Sequence, residues 1–131
     1  MKNLVFIGII AGLFFLISAC ADYPIDDKGM LITTRNQCYM SMFELLGPDN
    51  RTVLVSGQTV IDTVACTVTA VARFGTNRTH LKPYCSLVTD AIVEPEMGTW
   101  VDFTRPRKYT VISGNRQVRK EYTITVGLQG Q

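Results

Sequence analysis

The stretch VACTVTAVARF, residues 64–74, alternates between two kinds of side chain along its whole length. Side chains point to opposite faces of a β-strand in turn, and β-branched residues fit a pleated, half-buried surface. The pattern therefore predicts a strand with one face on a hydrophobic core. The apolar face is Val64, Cys66, Val68, Ala70, Ala72 and Phe74, and the polar face is Thr63, Thr67, Thr69 and Arg73.

Other short segments on both sides of this strand are rich in β-branched and aromatic residues. Turn-forming clusters such as Gly47–Asn50 and Glu94–Gly98 separate them, and no amphipathic helical period occurs after residue 30. Many short strands within residues 30–131 predict an all-β fold, an antiparallel β-sandwich. The predicted segments are 30–34, 38–46, 52–55, 59–62, 86–93, 99–104, 108–113 and 118–126.

The last two predicted strands form a hairpin. Tyr109 and Val111 share one face of its first strand, and Tyr122, Ile124 and Val126 share one face of the second. Basic residues crowd the turn and the base of this hairpin. They could form a binding face, or they could be solvated turns and an edge strand protected by charge. These residues are Arg105, Arg107, Lys108, Arg116, Arg119 and Lys120.

The start of the chain has the features of an export signal. Lys2 precedes 14 uncharged residues, Leu4 to Ile17, which is shorter than the roughly 20 apolar residues that cross a bilayer. Ser18, Ala19 and Cys20 follow, and the run resembles the bacterial lipobox. The resemblance implies cleavage before Cys20 and lipidation of its thiol and amine. Two acyl signals anchor a protein stably where one does not.

The domain organisation follows from this processing site. We expect a signal peptide at 1–19, a lipidated Cys20 with a flexible tether at 20–29, and one β-domain at 30–131. The tether carries Asp22, Asp26 and Asp27, which resemble the acidic export signals of Bacteroidetes surface lipoproteins. They predict an outer-membrane protein displayed outward, although a solvated linker facing the periplasm would also carry them.

A set of motifs in residues 75–126 resembles an immunoglobulin-like domain of unknown function, common in surface lipoproteins of the Bacteroidetes. The resemblance implies an immunoglobulin-like sandwich and a role at the cell envelope, often beside glycan-uptake systems. It supplies no catalytic residues. The motifs are Gly75-Thr76-Asn77, Leu81-Lys82-Pro83, Ala91 to Pro95, Gly98, Val101-Asp102-Phe103, Pro106, Tyr109-Thr110-Val111 and Tyr122 to Val126.

Trp100 and Asp102 are the candidate ligand-binding residues. If Val101 and Phe103 point inward, strand alternation places Trp100 and Asp102 outward. An exposed tryptophan can stack on a sugar ring or dock against a partner. Alternatively, Trp100 packs over a sheet edge or under the loop Glu94–Gly98.

Enzyme chemistry has little support in the sequence. His80, the only histidine, reads as a surface-loop residue and not as the base of a Cys–His pair. Cys38, Cys66 and Cys85 lack the spacing of a zinc site, and we expect no disulfide, with Cys38–Cys85 as the alternative. We expect no metal and no cofactor.

The sequence therefore predicts a non-catalytic binding module, with carbohydrate as the favoured ligand. The alternative is an interaction subunit that packs against an envelope protein of an outer-membrane assembly. A net charge of +2 gives no reason to expect a nucleic-acid partner, so the membrane partner is the lipid on Cys20. Asp62-Thr63-Val64 resembles the acceptor motif of Bacteroidetes O-glycosylation, which predicts modification of Thr63.

Overall fold

The structure, a computed structural model, describes residues 23–131, which fall into two units divided between Leu31 and Ile32. The described part of the first unit is one closed turn. The Asp26 carboxylate accepts the backbone N–H groups of Lys28 at 3.0 Å and Met30 at 2.8 Å. The predicted signal peptide and Cys20 lie outside the described residues, so their assignment stays a prediction.

The second unit contains seven β-strands in two sheets, and residues 23–131 include no helix. This confirms the all-β prediction and is consistent with a β-sandwich. The strands are β1 (Met40–Leu46), β2 (Val60–Asp62), β3 (Thr67–Ala72), β4 (Lys82–Leu87), β5 (Ile92–Glu94), β6 (Arg107–Ile112) and β7 (Arg119–Leu128).

The smaller sheet pairs β1 with β4 in antiparallel register, with Phe43 opposite Cys85. An irregularity between Met40 and Met42 shifts the register, as a β-bulge does. The shift explains why Met40, Phe43 and Leu45 all point inward although the first two are three residues apart.

The larger sheet has the strand order β2-β3-β7-β6-β5. β6 and β7 pair antiparallel with Tyr109 opposite Tyr122, which confirms the predicted hairpin. β3 and β7 pair parallel, with Thr67 beside Thr123 and Ala72 beside Leu128. The prediction of a purely antiparallel sandwich was therefore wrong. Sequence alternation identifies a half-buried strand but carries no information on its partner's direction.

One hydrophobic cluster joins both sheets. Tyr122 and Ile124 of β7 are 0% exposed, and Phe43 of β1 meets Phe103 edge-to-face with ring centroids 6.4 Å apart. The hydroxyl of Tyr122 accepts the backbone N–H of Met40 at 3.3 Å, which links the two sheets through the core. The hairpin side chains that were predicted to face inward are all buried.

β3, the strand predicted from the alternation of residues 64–74, is shorter than that alternation implies. Val68, Ala70 and Ala72 are 0% exposed as expected, whereas Val64 is 93% and Phe74 82% exposed. The Asp62 carboxylate accepts the backbone N–H groups of Val64 and Ala65, both at 2.9 Å. This side-chain capping turns the chain before β3 begins, so Val64 never reaches the sheet.

Four other predicted segments differ in the structure. Segment 30–34 contains only a bridge from Leu31, and 86–93 is split by a turn between β4 and β5. Segment 52–55 makes single bridges to both sheets, through Thr52 to Leu46 and through Leu54 to Ala72. Segment 99–104 makes one bridge, at Val101. Each of these segments has the composition of a strand, but no neighbouring strand pairs with it along its whole length.

Candidate functional site

Trp100 and Asp102 both lie on the outer surface of the smaller sheet. Val101 bridges Leu81, the residue before β4, so the segment around it runs beside that sheet. Phe103 is 1% exposed and belongs to the core, and Val101 packs against the same cluster. Alternation along this extended segment then turns Trp100 and Asp102 outward. This is the orientation that follows if Val101 and Phe103 point inward, and the ligand-binding role of Trp100 and Asp102 stays a prediction.

The indole ring of Trp100 is held by two polar neighbours. The imidazole of His80 stacks on it with centroids 4.2 Å apart and an interplanar angle of 13°. The ammonium group of Lys82 lies 4.5 Å from the ring centroid, in cation–π geometry. The residue as a whole is 40% exposed, so these contacts orient the ring and cover part of it while the rest stays accessible.

Tyr84 extends this surface along β4. Only Pro83 separates Tyr84 from Lys82, so both side chains leave the same face of the strand. Tyr84 is 43% exposed, and its ring lies against Gly98, where an added Cβ would be 3.5 Å from the ring. We call the group of His80, Lys82, Tyr84, Trp100 and Asp102 the Trp100 face. Tyr109 is buried and takes no part in it.

Asp102 fixes the loop that follows Trp100. Its Oδ1 accepts the backbone N–H and the hydroxyl of Thr104, at 2.8 and 2.7 Å. These hydrogen bonds lower the pKa of the Asp102 carboxyl, first through the Thr104 hydroxyl, and Arg107 and Arg105 lower it further. An open cleft of about 520 Å³ adjoins the loop. The residues that line it are Asp102, Thr104, Arg105, Pro106 and Arg107.

The basic residues of the hairpin do not form one free positive surface. Lys108 pairs with Glu121 at 3.0 Å, and Arg119 pairs with Glu94 at 3.2 Å. Arg116 donates to the carbonyls of Ser113 and Gly114. Lys108, Arg116 and Arg119 are thus engaged within the protein, in agreement with the interpretation of a charge-protected sheet.

The thiols of Cys38, Cys66 and Cys85 are free, and the structure places no disulfide within residues 23–131. Burial raises the pKa of Cys85 to about 11 and also raises the pKa of Cys38. Such thiols are protonated and weakly nucleophilic at neutral pH. No group of three or more potential metal ligands occurs within residues 23–131.

Thr63 stands at the tip of the turn between β2 and β3 and is exposed. The Asp62 side chain holds this turn, so Thr63 and Val64 both project outward. The predicted modification of Thr63 therefore has an accessible acceptor.

Among residues 23–131 no helix is long and apolar enough to span a membrane.

Sequence reasoning missed His80 and Lys82 as members of the Trp100 face, and it could not place Tyr84 beside Trp100. The proximity of these residues to Trp100 depends on the bridge between Leu81 and Val101, and no sequence pattern indicates that these two segments pair. The one available signal was the alternation of Lys82 and Tyr84 around Pro83, in a stretch that we expected to precede its strand.

Residues 51–126 match the family described as SGBP, N-terminal, in which SGBP denotes a glycan-binding protein of the Bacteroidetes type. No curated protein matches the chain.

Two solved structures from Bacteroides share the fold. One, described as a candidate glycoside hydrolase of Bacteroides thetaiotaomicron VPI-5482, is 25% identical with a TM-score of 0.58. The match covers 70% of this chain and 25% of that one. The other, a DUF4623 family protein of Bacteroides eggerthii DSM 20697, is 14% identical with a TM-score of 0.53. That match covers 72% of this chain and 22% of the other. The chain thus corresponds to about a quarter of each protein's length.

Proposed function

We propose, from the premise that the chain belongs to the SGBP, N-terminal family, that it is a non-catalytic carbohydrate-binding module of a Bacteroidetes surface protein. Family membership and the Bacteroides neighbours support the cell surface as its location and glycan as the associated ligand class. In this proposal the module contacts the glycan directly, through the Trp100 face.

The exposed Trp100 is the observation that carries the proposal. The residue is 40% exposed and its ring is oriented by His80 and Lys82, so that little side-chain freedom is lost on binding. An aromatic ring offers a large apolar surface to the C–H face of a pyranose. The ionised Asp102 carboxylate and the Lys82 ammonium are an acceptor and a donor for sugar hydroxyls. Tyr84 provides a second aromatic contact along β4.

The test is binding of the full chain, purified in mild detergent, to a broad glycan array. We expect Trp100→Ala to abolish binding to any glycan that the wild type retains. Phe74→Ala is the matched control, because Phe74 is an exposed aromatic residue that follows β3 of the larger sheet. Circular dichroism verifies that both variants fold. Glycan binding that persists unchanged in Trp100→Ala would contradict the assignment of the site.

The second candidate function is an interaction subunit, which packs against another protein or domain of an envelope assembly. The observation that favours it is the exposed apolar surface around the short edge strand β2, where Val60 is 62% and Val64 93% exposed. Isolated modules rarely leave such side chains uncovered at a sheet edge. A folded chain that binds no glycan on the array would favour this candidate.

The proposal includes a lipid anchor on Cys20, outward display at the outer membrane, an immunoglobulin-like assignment for the sandwich, and O-glycosylation of Thr63. The acidic tether supports outward display, and the exposed turn at Thr63 supports O-glycosylation. The test is labelling with radioactive palmitate. If the Cys20→Ser variant still incorporates the label, Cys20 is not the lipid anchor.

A further inference from the structure

The basic side chains around Trp100 differ from those of the hairpin strands in their partners. Lys108 and Arg119 are paired with carboxylates. Among residues 23–131, Lys82, Arg105 and Arg107 have no carboxylate within ion-pair distance. Lys82 is engaged with the Trp100 ring, whereas Arg105 and Arg107 line the cleft beside Asp102 and remain open to a ligand.

Arg107 is also preorganised. Its Nε donates to the backbone carbonyl of Asp102 at 2.7 Å, which fixes the guanidinium group at the rim of the 520 Å³ cleft. The two terminal nitrogens stay available, and they match the spacing of two oxygens on a carboxylate or a sulfate. Asp102 and Trp100 are two residues apart, at most about 7 Å of extended backbone, so one oligosaccharide can reach both.

Asp102 is the negative group within this surface, and its charge is already committed. Its Oδ1 holds Thr104, and the two arginines lie close enough to lower its pKa. Glu44, opposite Tyr84 in the sheet, is hydrogen-bonded to Thr52 and to the backbone of Leu45. Arg105 and Arg107 therefore present guanidinium nitrogens at the cleft that no carboxylate of residues 23–131 pairs with.

We infer that the Trp100 face and the adjoining cleft of Arg105 and Arg107 bind an acidic glycan, with Trp100 contacting a sugar ring and Arg107, aided by Arg105, holding its carboxylate or sulfate. This inference rests on the proposed function and names the ligand class of the same site. Charge complementarity favours an anionic sugar, because neither arginine has a carboxylate partner within residues 23–131. Ion pairing at an exposed surface weakens with salt, so binding depends on ionic strength.

The experiment measures affinity of the full chain for glycan pairs that share a backbone and differ in charge. The probes are polygalacturonate with its fully methyl-esterified form, and κ-carrageenan with its desulfated form, so that the second member of each pair is neutral. The first pair tests the carboxylate and the second the sulfate. Arg107→Gln should weaken binding of the charged member about tenfold, the amount that loss of a charge-assisted hydrogen bond produces. The matched control is Lys108→Gln, which removes the neighbouring cation that is already paired with Glu121.

The expected result is tighter binding of one charged member than of its neutral form, lost in Arg107→Gln and kept in Lys108→Gln. Equal binding of charged and neutral members, abolished only by Trp100→Ala, would overturn the inference and leave the proposed function standing. If no probe and no array glycan binds, both fail. Equal weakening by Arg107→Gln and Lys108→Gln, with comparable binding of inorganic polyphosphate, would indicate non-specific charge attraction and would also overturn the inference.

Discussion

Gly114, in the turn between β6 and β7, occupies a position that has no room for a side chain. A Cβ there would lie 2.5 Å from the Thr33 hydroxyl and 2.8 Å from the Cβ of Asp90. Thr33 also donates its backbone N–H to the Gly114 carbonyl at 2.9 Å, so the segment before β1 is bound to this turn. The hairpin turn is thus a packing site of the domain and not only a connection.

We therefore predict that Gly114→Ala lowers the free energy of unfolding by about 1–3 kcal/mol, the usual cost of overpacking. Urea denaturation of the two proteins measures it. Gly127→Ala is the control, since its nearest neighbour would be the Ala70 carbonyl at 4.0 Å, and it should be neutral or slightly stabilising. Equal stability of Gly114→Ala and wild type would show that Thr33 and Asp90 move aside without cost.

For single residues, the predicted burial is correct where the residue lies within a strand and wrong where the backbone forms a local turn. Val68 and Val126 are buried as predicted, because each lies within a strand on a core face. Val64 belongs to the same alternating run, but the Asp62 carboxylate captures its N–H group. Cys66 adopts a left-handed conformation with φ 55, which apolar periodicity cannot reveal.

Among the elements, β1 and β7 are joined across the core by one side-chain hydrogen bond. The Tyr122 hydroxyl receives the N–H of Met40 beside the β1 irregularity, and both residues are 0% exposed. Tyr122→Phe would leave that N–H buried without a partner, which costs about 1–3 kcal/mol. We predict this loss of stability in urea denaturation.

Tyr109→Phe is the matched control for this change. Tyr109 lies directly opposite Tyr122 on β6 and is also buried, but the structure gives its hydroxyl no hydrogen bond within residues 23–131. Its substitution should change stability by less than about 0.5 kcal/mol. Equal losses in the two variants would mean that the contact with Met40 contributes nothing specific.

The elements of the candidate site were predictable only in part. The outward direction of Trp100 followed from alternation with the buried Phe103, and the structure has that orientation. Which residues lie next to Trp100 could not be predicted, because they come from a segment that is joined to the Trp100 segment by a single bridge at Leu81. A binding surface that is built from two paired segments can be predicted only when their pairing is known, and a single sequence does not reveal that pairing.

For the whole molecule, buried acidic groups predict a loss of stability at alkaline pH. Burial raises the pKa of Cys85 from 9.0 to about 11, and it raises the pKa values of Cys38, Tyr109 and Tyr122. Each group favours the folded state while it is protonated. This contribution is complete below the unfolded-state pKa and is lost as pH rises through the folded-state value.

We expect the free energy of unfolding to decline as pH rises from 9 towards 11. Urea denaturation at a series of pH values measures the slope. Cys85→Ala should give a shallower slope than wild type, whatever its stability at neutral pH. A slope that is identical in the two proteins would contradict the role of Cys85.

The parallel pairing of β3 with β7 has a consequence for biogenesis. β7 lies at the centre of the larger sheet, between β3 and β6, yet it is the last strand in chain order. A nascent chain can therefore not complete that sheet until residues 119–128 have been synthesised, because β2 and β3 have no route to β6 without them. The larger sheet is therefore assembled late, once the chain is available through Leu128.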